Sequence, residues 1–113
     1  MNIKIDGYDM ILKKEEYQNG KTALVIIIGN GNDALEEMGM QPGDEYTVVT
    51  VNLPNVELQD NEICVKNYTE NEGLFEQLIE QKILRDTGRK VKTGFVSIPI
   101  AELLISKEKL WKL

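Results

Sequence analysis

Apolar and polar residues alternate over the first part of the chain, which is the pattern of strands with one buried face. The alternation covers residues 3–5 and 8–13. Asp6-Gly7 stands between these runs, and this dipeptide favours a type I′ turn because both central positions need a positive φ. The pattern therefore predicts a β-hairpin at the beginning of the chain.

The most apolar segment is the run 22–28, which is rich in β-branched residues and follows a second turn signal, Asn19-Gly20. A continuous apolar run of this length predicts a central strand that is covered on both faces. Further strands are predicted at three other runs: 45–52, 62–66 and 94–98. Pro99 is expected to end the last strand, because proline cannot donate a hydrogen bond to a sheet.

One longer segment, about residues 70–81, has the spacing of an amphipathic helix. Thr69-Glu70-Asn71-Glu72 fits a capping box, in which the threonine and the second glutamate each bond the other's backbone amide. Apolar residues then recur on one face at 3.6-residue spacing: Leu74, Phe75, Leu78, Ile79 and Ile83. Weaker signals predict one or two helical turns over 34–40 and a turn over 87–90.

Together these elements predict an α+β fold, in which an antiparallel sheet of about five to six strands carries one principal amphipathic helix on one face. A chain of 113 residues fits a single domain, 1–113, with one core. Cys64 is the only cysteine, and its apolar neighbours predict a buried thiol. The chain has no secretion-signal pattern and no apolar run near the ~20 residues of a membrane helix, so a cytoplasmic location without membrane contact is expected.

Charge is distributed unevenly along the chain, which has a net charge of −6. Residues 1–31 hold four acidic and four basic residues. Residues 32–81 hold twelve acidic residues and one base, Lys66, whereas residues 82–113 hold eight basic and three acidic residues. An asymmetry of this kind is informative about partners rather than about fold.

The acidic segment contains three glutamates at i, i+4 spacing: Glu72, Glu76 and Glu80. On a helix such residues line one edge about 6 Å apart, where like charges are mildly destabilising. Two interpretations stay open. Either this stripe, together with Glu70, binds a basic surface of another protein, including one that normally holds nucleic acid, or it is a solvated face balanced by the bases of residues 82–89.

A second charged segment, residues 87–94, places three bases between two Thr-Gly pairs: Arg89, Lys90 and Lys92. We predict these bases as a second contact for the partner. A glycine-rich turn beside bases can hold an anion, but turn chemistry explains the glycines equally well. The patch has no interleaved aromatic residue and the sequence pI is near 4.7, so direct nucleic-acid binding is not expected.

Constellations typical of catalysis are missing from the sequence. The chain has no histidine and no G-x-S-x-G motif, and no pair among its nineteen acidic residues is singled out by the pattern. We therefore expect no enzymatic activity, no cofactor and no metal. Near the C-terminus, Trp111 either packs on the core or in a homodimer, or it is an exposed binding anchor, and the pattern favours the packed arrangements.

Several segments together resemble a family of small accessory proteins carried by conjugative plasmids and integrative elements of Gram-positive bacteria. They are Asn-Gly-Lys-Thr-Ala-Leu at 19–24, Thr-Val-Asn-Leu-Pro at 50–54, Glu-Ile-Cys-Val-Lys-Asn-Tyr-Thr-Glu-Asn-Glu-Gly at 62–73, Asp-Thr-Gly-Arg at 86–89 and Thr-Gly-Phe-Val-Ser-Ile-Pro at 93–99. The resemblance covers about residues 17–104, and residues 31–43 look like an insertion. It implies a setting in which small acidic proteins block host defences such as CRISPR nucleases and restriction enzymes.

The leading hypothesis is therefore an inhibitor of a host defence nuclease, of the anti-CRISPR type, that acts by stoichiometric protein binding. Its partner would present a basic nucleic-acid-binding surface, as an RNA-guided nuclease does. The predicted contacts are Glu70, Glu72, Glu76 and Glu80, with Arg89, Lys90 and Lys92 as the second set. The alternatives are a non-inhibitory accessory or regulatory protein of conjugation and, third, a small nuclease or hydrolase.

Overall fold

The computed structural model describes residues 1–106 and 109–112, with Trp111 and Lys112 described by their backbone alone. The α+β class is confirmed. In chain order the elements are β1 (Asn2–Ile5), β2 (Tyr8–Glu16), β3 (Thr22–Ile28), α1 (Asp33–Glu37), β4 (Glu45–Val48), β5 (Glu62–Cys64), α2 (Leu74–Glu80), β6 (Leu84–Thr93), β7 (Val96–Leu103) and β8 (Trp111–Lys112). A 3-10 turn, Thr69–Asn71, precedes α2. The packing of the Trp111 side chain lies outside the described residues.

The strands form two sheets rather than the single predicted one. The first sheet has the antiparallel order β1-β2-β3-β4, and β8 pairs with β2 in parallel. The second has the antiparallel order β5-β7-β6. An isolated bridge between Thr50 and Val65 joins the two sheets. In the described part of the chain, no helix is long and apolar enough to cross a membrane.

The main core is shared by the first sheet, α2 and one face of the second sheet. Strand β3 is central, as predicted, and residues 23–28 are all buried. Helix α2 buries Leu74, Phe75 and Leu78 against the strands. A helix of 7 residues is too short to be stable by itself, so this packing holds it in place.

A smaller core lies on the other face of the second sheet. Cys64, Ile98 and Ile100 are covered there by apolar side chains of the segment 51–58. The Cys64 thiol is buried, as predicted, and burial raises its pKa. Lys21 fastens the covering segment, because its ammonium donates to the backbone carbonyls of three residues: Leu53, Pro54 and Val56.

Both early turn predictions are confirmed. Asp6 and Gly7 have φ values of 52° and 83° and join β1 to β2 as a two-residue turn. At the next hairpin, Tyr17 and Lys21 pair across a three-residue loop in which Gly20 has a φ of 85°. That loop continues β2 into β3 in antiparallel register.

The predicted capping box is wrong. Thr69 has a φ of 55°, and its single hydroxyl hydrogen is shared between the Tyr68 carbonyl and the Glu70 carboxylate instead of capping a helix. The helix is divided in two, because Gly73, with a φ of 85°, separates the 3-10 turn from α2. Glu72 therefore precedes α2 and does not belong to its first turn.

The predicted turn over 87–90 and the predicted strand end at Pro99 are also wrong, for one shared reason. Residues 87–89 form a bulge within β6, between the pairs Asp86–Ala101 and Lys90–Pro99. Gly88 adopts a φ of 83° in this bulge. Because the ladder is already interrupted opposite the bulge, the missing N–H of Pro99 is tolerated and β7 continues to Leu103.

Helix α2 also closes the free edge of the first sheet. Gln81 accepts a hydrogen bond from the Lys4 amide at 3.0 Å and donates to the Lys4 carbonyl at 2.6 Å. Gln77, one turn earlier, accepts from the Asp6 amide at 2.8 Å and donates to the Asp6 carboxylate at 3.0 Å. The two side-chain amides take the place of a further strand along β1, which blocks pairing with another chain.

Candidate functional site

The topology of the first sheet brings acidic residues from distant segments to one end of the sheet. At this end β1 turns into β2, β3 leads into α1, and β4 begins. Seven acidic residues lie there, and we call this surface the acidic end: Asp6, Asp9, Asp33, Glu36, Glu37, Asp44 and Glu45. All seven are exposed. The acidic end therefore combines residues 32–45 with two residues of the electrically neutral segment 1–31.

A hydrogen-bonded joint holds α1 against the start of β2. The Asn32 side chain accepts from the Asp9 amide at 3.1 Å and donates to the Asp9 carbonyl at 2.8 Å. It also donates to the Gly29 carbonyl, and the Gly29 amide donates to the Asp9 carbonyl at 3.1 Å. Asn32 is buried at 6% exposure, so these bonds satisfy its amide. The side chain thus anchors the loop to β2 and makes no capping bond to α1.

The carboxylates of the acidic end point to solvent and do not converge on a ligand. Asp9 pairs with Lys4 at 3.1 Å, and both side chains are more than half exposed. The Asp44 carboxylate accepts from the Gln41 amide. Over residues 1–106 and 109–112, no group of three acidic or cysteine side chains can hold a metal ion. The arrangement is that of a broad negative surface, which attracts cations and cationic surfaces at long range.

Helix α2 adds negative charge beside the acidic end. Gln77 contacts Asp6, which places the helix next to the β1–β2 turn. Glu76 and Glu80 are exposed on the face of α2 opposite its buried side chains. The predicted stripe of three glutamates is thus a pair on the helix, while Glu72 is exposed just before it.

Glu70 lies apart from this pair, on the 3-10 turn. Its carboxylate accepts from Lys66 at 2.5 Å and from the Thr69 hydroxyl. Lys66, followed by the hydroxyl, lowers the pKa of Glu70 to about 2. Because its charge is locally balanced, Glu70 offers less to a cationic partner than the two glutamates of α2.

The three bases predicted as a second contact have different surroundings. Arg89 forms an ion pair with Glu62 on β5, whereas Lys90 and Lys92 are exposed on β6. No ion pair involves Lys90 or Lys92 within the part of the chain that the structure describes. The Arg89 guanidinium is thus engaged within the second sheet, whereas the two lysines are exposed, and the partner-binding role of all three bases stays a prediction.

The Arg89–Glu62 pair belongs to a row of charges across the second sheet. Glu62 lies directly opposite Glu102 on β7, and Arg85 on β6 pairs with Glu102 at 2.9 Å. The Glu62 side chain is only 9% exposed, and its carboxylate also accepts from the Gln59 amide at 2.9 Å. Arg89 and this amide lower the pKa of Glu62 below its ordinary value of 4.5. Each neighbouring carboxylate thus has its own guanidinium.

We expect Arg89→Gln to lower the free energy of unfolding at neutral pH by about 1 kcal/mol. The effect is this small because the Arg89 side chain is half exposed, so solvent screens its charge. The pKa of Glu62 is lower in the folded state than in the unfolded state. The ion pair therefore stabilises the fold fully at pH values above the unfolded-state pKa, and this stabilisation is lost as the pH falls through the folded-state pKa. The difference between wild type and Arg89→Gln should therefore shrink below pH 4.5.

Urea unfolding at pH 7 and at decreasing acidic pH measures this difference. Lys90→Gln is the matched control, because it removes the same charge one residue away from a side chain without an ion pair in the described structure. A difference for Arg89→Gln that stays constant down to acidic pH would contradict the ion-pair explanation.

Comparison of the chain with protein-family models, curated proteins and solved structures gives no match. The acidic end was not predicted from the sequence, although its signals were present. Asp6-Gly7 predicted the hairpin, and antiparallel order places the β1–β2 turn beside the β3–β4 connection. The charge of Asp6 and Asp9 was concealed by the balanced composition of residues 1–31.

Proposed function

We propose that this chain acts by stoichiometric binding to a cationic protein surface, and that the acidic end is its principal contact. One observation carries the proposal: three separate segments place seven exposed carboxylates at one end of the first sheet. Glu76 and Glu80 extend this negative surface along α2. A surface of one sign speeds association with a surface of opposite sign and selects against partners of like charge.

The resemblance to accessory proteins of mobile elements supplies the proposed partner. We propose a host defence nuclease of the RNA-guided type, bound in the cytoplasm at a surface that otherwise holds nucleic acid. Such a surface is cationic because it follows a phosphate backbone, and carboxylates can occupy it. The proposal is one of inhibition by occupancy, without catalysis by this chain.

Charge reversal tests the proposal. The variant Glu36→Lys/Glu37→Lys/Glu76→Lys/Glu80→Lys should weaken partner binding by roughly thirtyfold, about 2 kcal/mol, because each reversal replaces an attraction with a repulsion. All four side chains are exposed, so the circular dichroism spectrum and melting temperature should change little. In a plasmid-interference assay with an RNA-guided nuclease, wild type should restore transformation and this variant should not.

Glu15→Lys/Glu16→Lys is the matched control, since these exposed residues lie at the opposite end of β2. The control should inhibit like wild type. If wild type does not inhibit, or if the four reversals leave inhibition unchanged, the proposed function is wrong. Purification from the native host with a transfer or replication protein, and without a nuclease, would support the conjugation alternative instead.

A further inference from the structure

The outer half of the β6–β7 hairpin is a two-stranded ribbon with an exposed aromatic tip. Residues 90–93 pair with 96–99, and Gly94-Phe95 forms the turn. Gly94 has a φ of 58°, which a type II′ turn needs at its first central position, and Phe95 occupies the second. The Phe95 side chain is 109% exposed, so the whole ring is in solvent.

Folding does not explain a phenylalanine at this position. The second position of a type II′ turn accepts most residues, and a ring without neighbours contributes no buried area to the core. Val91 and Val96, by contrast, pack on the smaller core and fix the ribbon to the body of the protein. The ring is therefore presented on an anchored support.

Lys90 and Lys92 lie on one face of the same ribbon. Val91 faces the smaller core, so its two neighbours face away from it, about 7 Å apart along the strand. Lysines on an edge strand also prevent pairing with other chains, and this role is enough to explain why lysines occur at these two positions. It does not explain Phe95, which is in the turn and not on the edge.

We infer that this ribbon binds single-stranded nucleic acid, with Phe95 stacked on a base and with Lys90 and Lys92 at backbone phosphates. Aromatic stacking needs a base whose face is free, which a single strand offers and a stacked duplex does not. The sequence argued against nucleic acid because the basic patch contained no aromatic residue. The hairpin turn supplies that residue at the tip. The inference does not depend on the proposed function.

The charge of the chain defines the conditions under which binding is measurable. A net charge of −6 repels a polyanion at distance, so contact is confined to the ribbon and weakens with salt. Two lysine–phosphate contacts on a single strand contribute about 1.4 to the slope of log affinity against log salt concentration. Base stacking on one aromatic ring changes affinity by about fivefold to a hundredfold.

The test is fluorescence anisotropy of a labelled 20-nucleotide oligo(U) and of a duplex of equal length, at several salt concentrations between 20 and 200 mM. Phe95→Ala should weaken single-strand binding by about tenfold, whereas Phe95→Trp should retain it. Lys90→Gln/Lys92→Gln should reduce the salt slope by about 1.4. Met38→Ala and Lys82→Gln/Lys109→Gln are matched controls at other exposed positions, and both should bind like wild type.

Several outcomes would overturn the inference. One is equal affinity of Phe95→Ala and wild type, and another is equal affinity for single strand and duplex. A third is binding to phosphatidylserine vesicles without binding to the oligonucleotide, which would assign the ribbon to a membrane surface. A fourth is self-association in sedimentation velocity that Lys90→Gln/Lys92→Gln abolishes, because the ribbon would then contact the acidic end of a second copy. Unchanged thermal melting of Phe95→Ala separates all of these from misfolding.

Discussion

Replacing Leu78 with alanine is expected to lower the free energy of unfolding by about 3 kcal/mol. Leu78 is 0% exposed and lies in the main core beneath α2. Removing its isobutyl group leaves a cavity in the main core, and the loss of contacts is added to the loss of hydrophobic transfer energy. For a chain of 113 residues, the melting temperature should fall by roughly 12 °C.

The effect should extend to the sheet edge that α2 closes. A loosened helix withdraws Gln77 and Gln81 from β1, so hydrogen exchange at the Lys4 and Asp6 amides should accelerate more than exchange at the amides of β3. Met38→Ala is the control, because a side chain that is 68% exposed should cost less than 0.5 kcal/mol. A melting temperature within 3 °C of wild type would mean that α2 is not held by Leu78.

The parts of the fold that were predicted correctly are those that neighbouring residues specify. Asp6-Gly7 encodes its own turn, and the apolar run 22–28 encodes a strand covered on both faces. The apolar spacing of residues 74–78 likewise encodes a buried helical face. In each case the determining signal lies within a few residues of the element it specifies.

The errors occur where a distant segment decides the local structure. Thr69 matched a capping box, but Asn71, two residues later, is only 1% exposed. Its side-chain amide accepts a hydrogen bond from the Thr47 hydroxyl and donates to the Val48 carbonyl of β4. That tertiary anchor holds the chain in a 3-10 turn before α2. In the same way, the bulge next to the Lys90–Pro99 pair depends on the pairing of β6 with β7, which turn chemistry alone does not specify.

The candidate surface was foreseen in its sign but not in its location. The abundance of acid in residues 32–81 predicted a negative surface, and helical spacing assigned it to α2. The fold retains Glu76 and Glu80 there, balances Glu70 with Lys66, and gathers most of the remaining charge at the end of the first sheet. Strand order, which joins residues far apart in the chain, carries this information. The binding roles of all these residues stay predictions.

Gly29→Ala is the second substitution expected to have a large effect, at about 3 kcal/mol. A Cβ at Gly29 would lie 2.7 Å from the Asp9 carbonyl oxygen and 3.2 Å from its carbon. Both atoms belong to the backbone of β2, so no side-chain rotation relieves the contact. The same carbonyl accepts hydrogen bonds from the Gly29 amide and from Asn32, and moving it disrupts the joint that positions α1.

Gly31→Ala separates this steric effect from the cost of a strained backbone. Gly31 has a φ of 81° and no atom within 4 Å of the added Cβ, so its substitution should cost only about 1 kcal/mol. Urea unfolding of both variants measures the difference. The Asp9 amide donates a hydrogen bond to the Asn32 side chain, so its hydrogen exchange reports whether the joint has opened. If Gly29→Ala is no more destabilised than Gly31→Ala, the close approach of β2 to this loop does not position the acidic end, and α1 must be held there by Leu35 in the core.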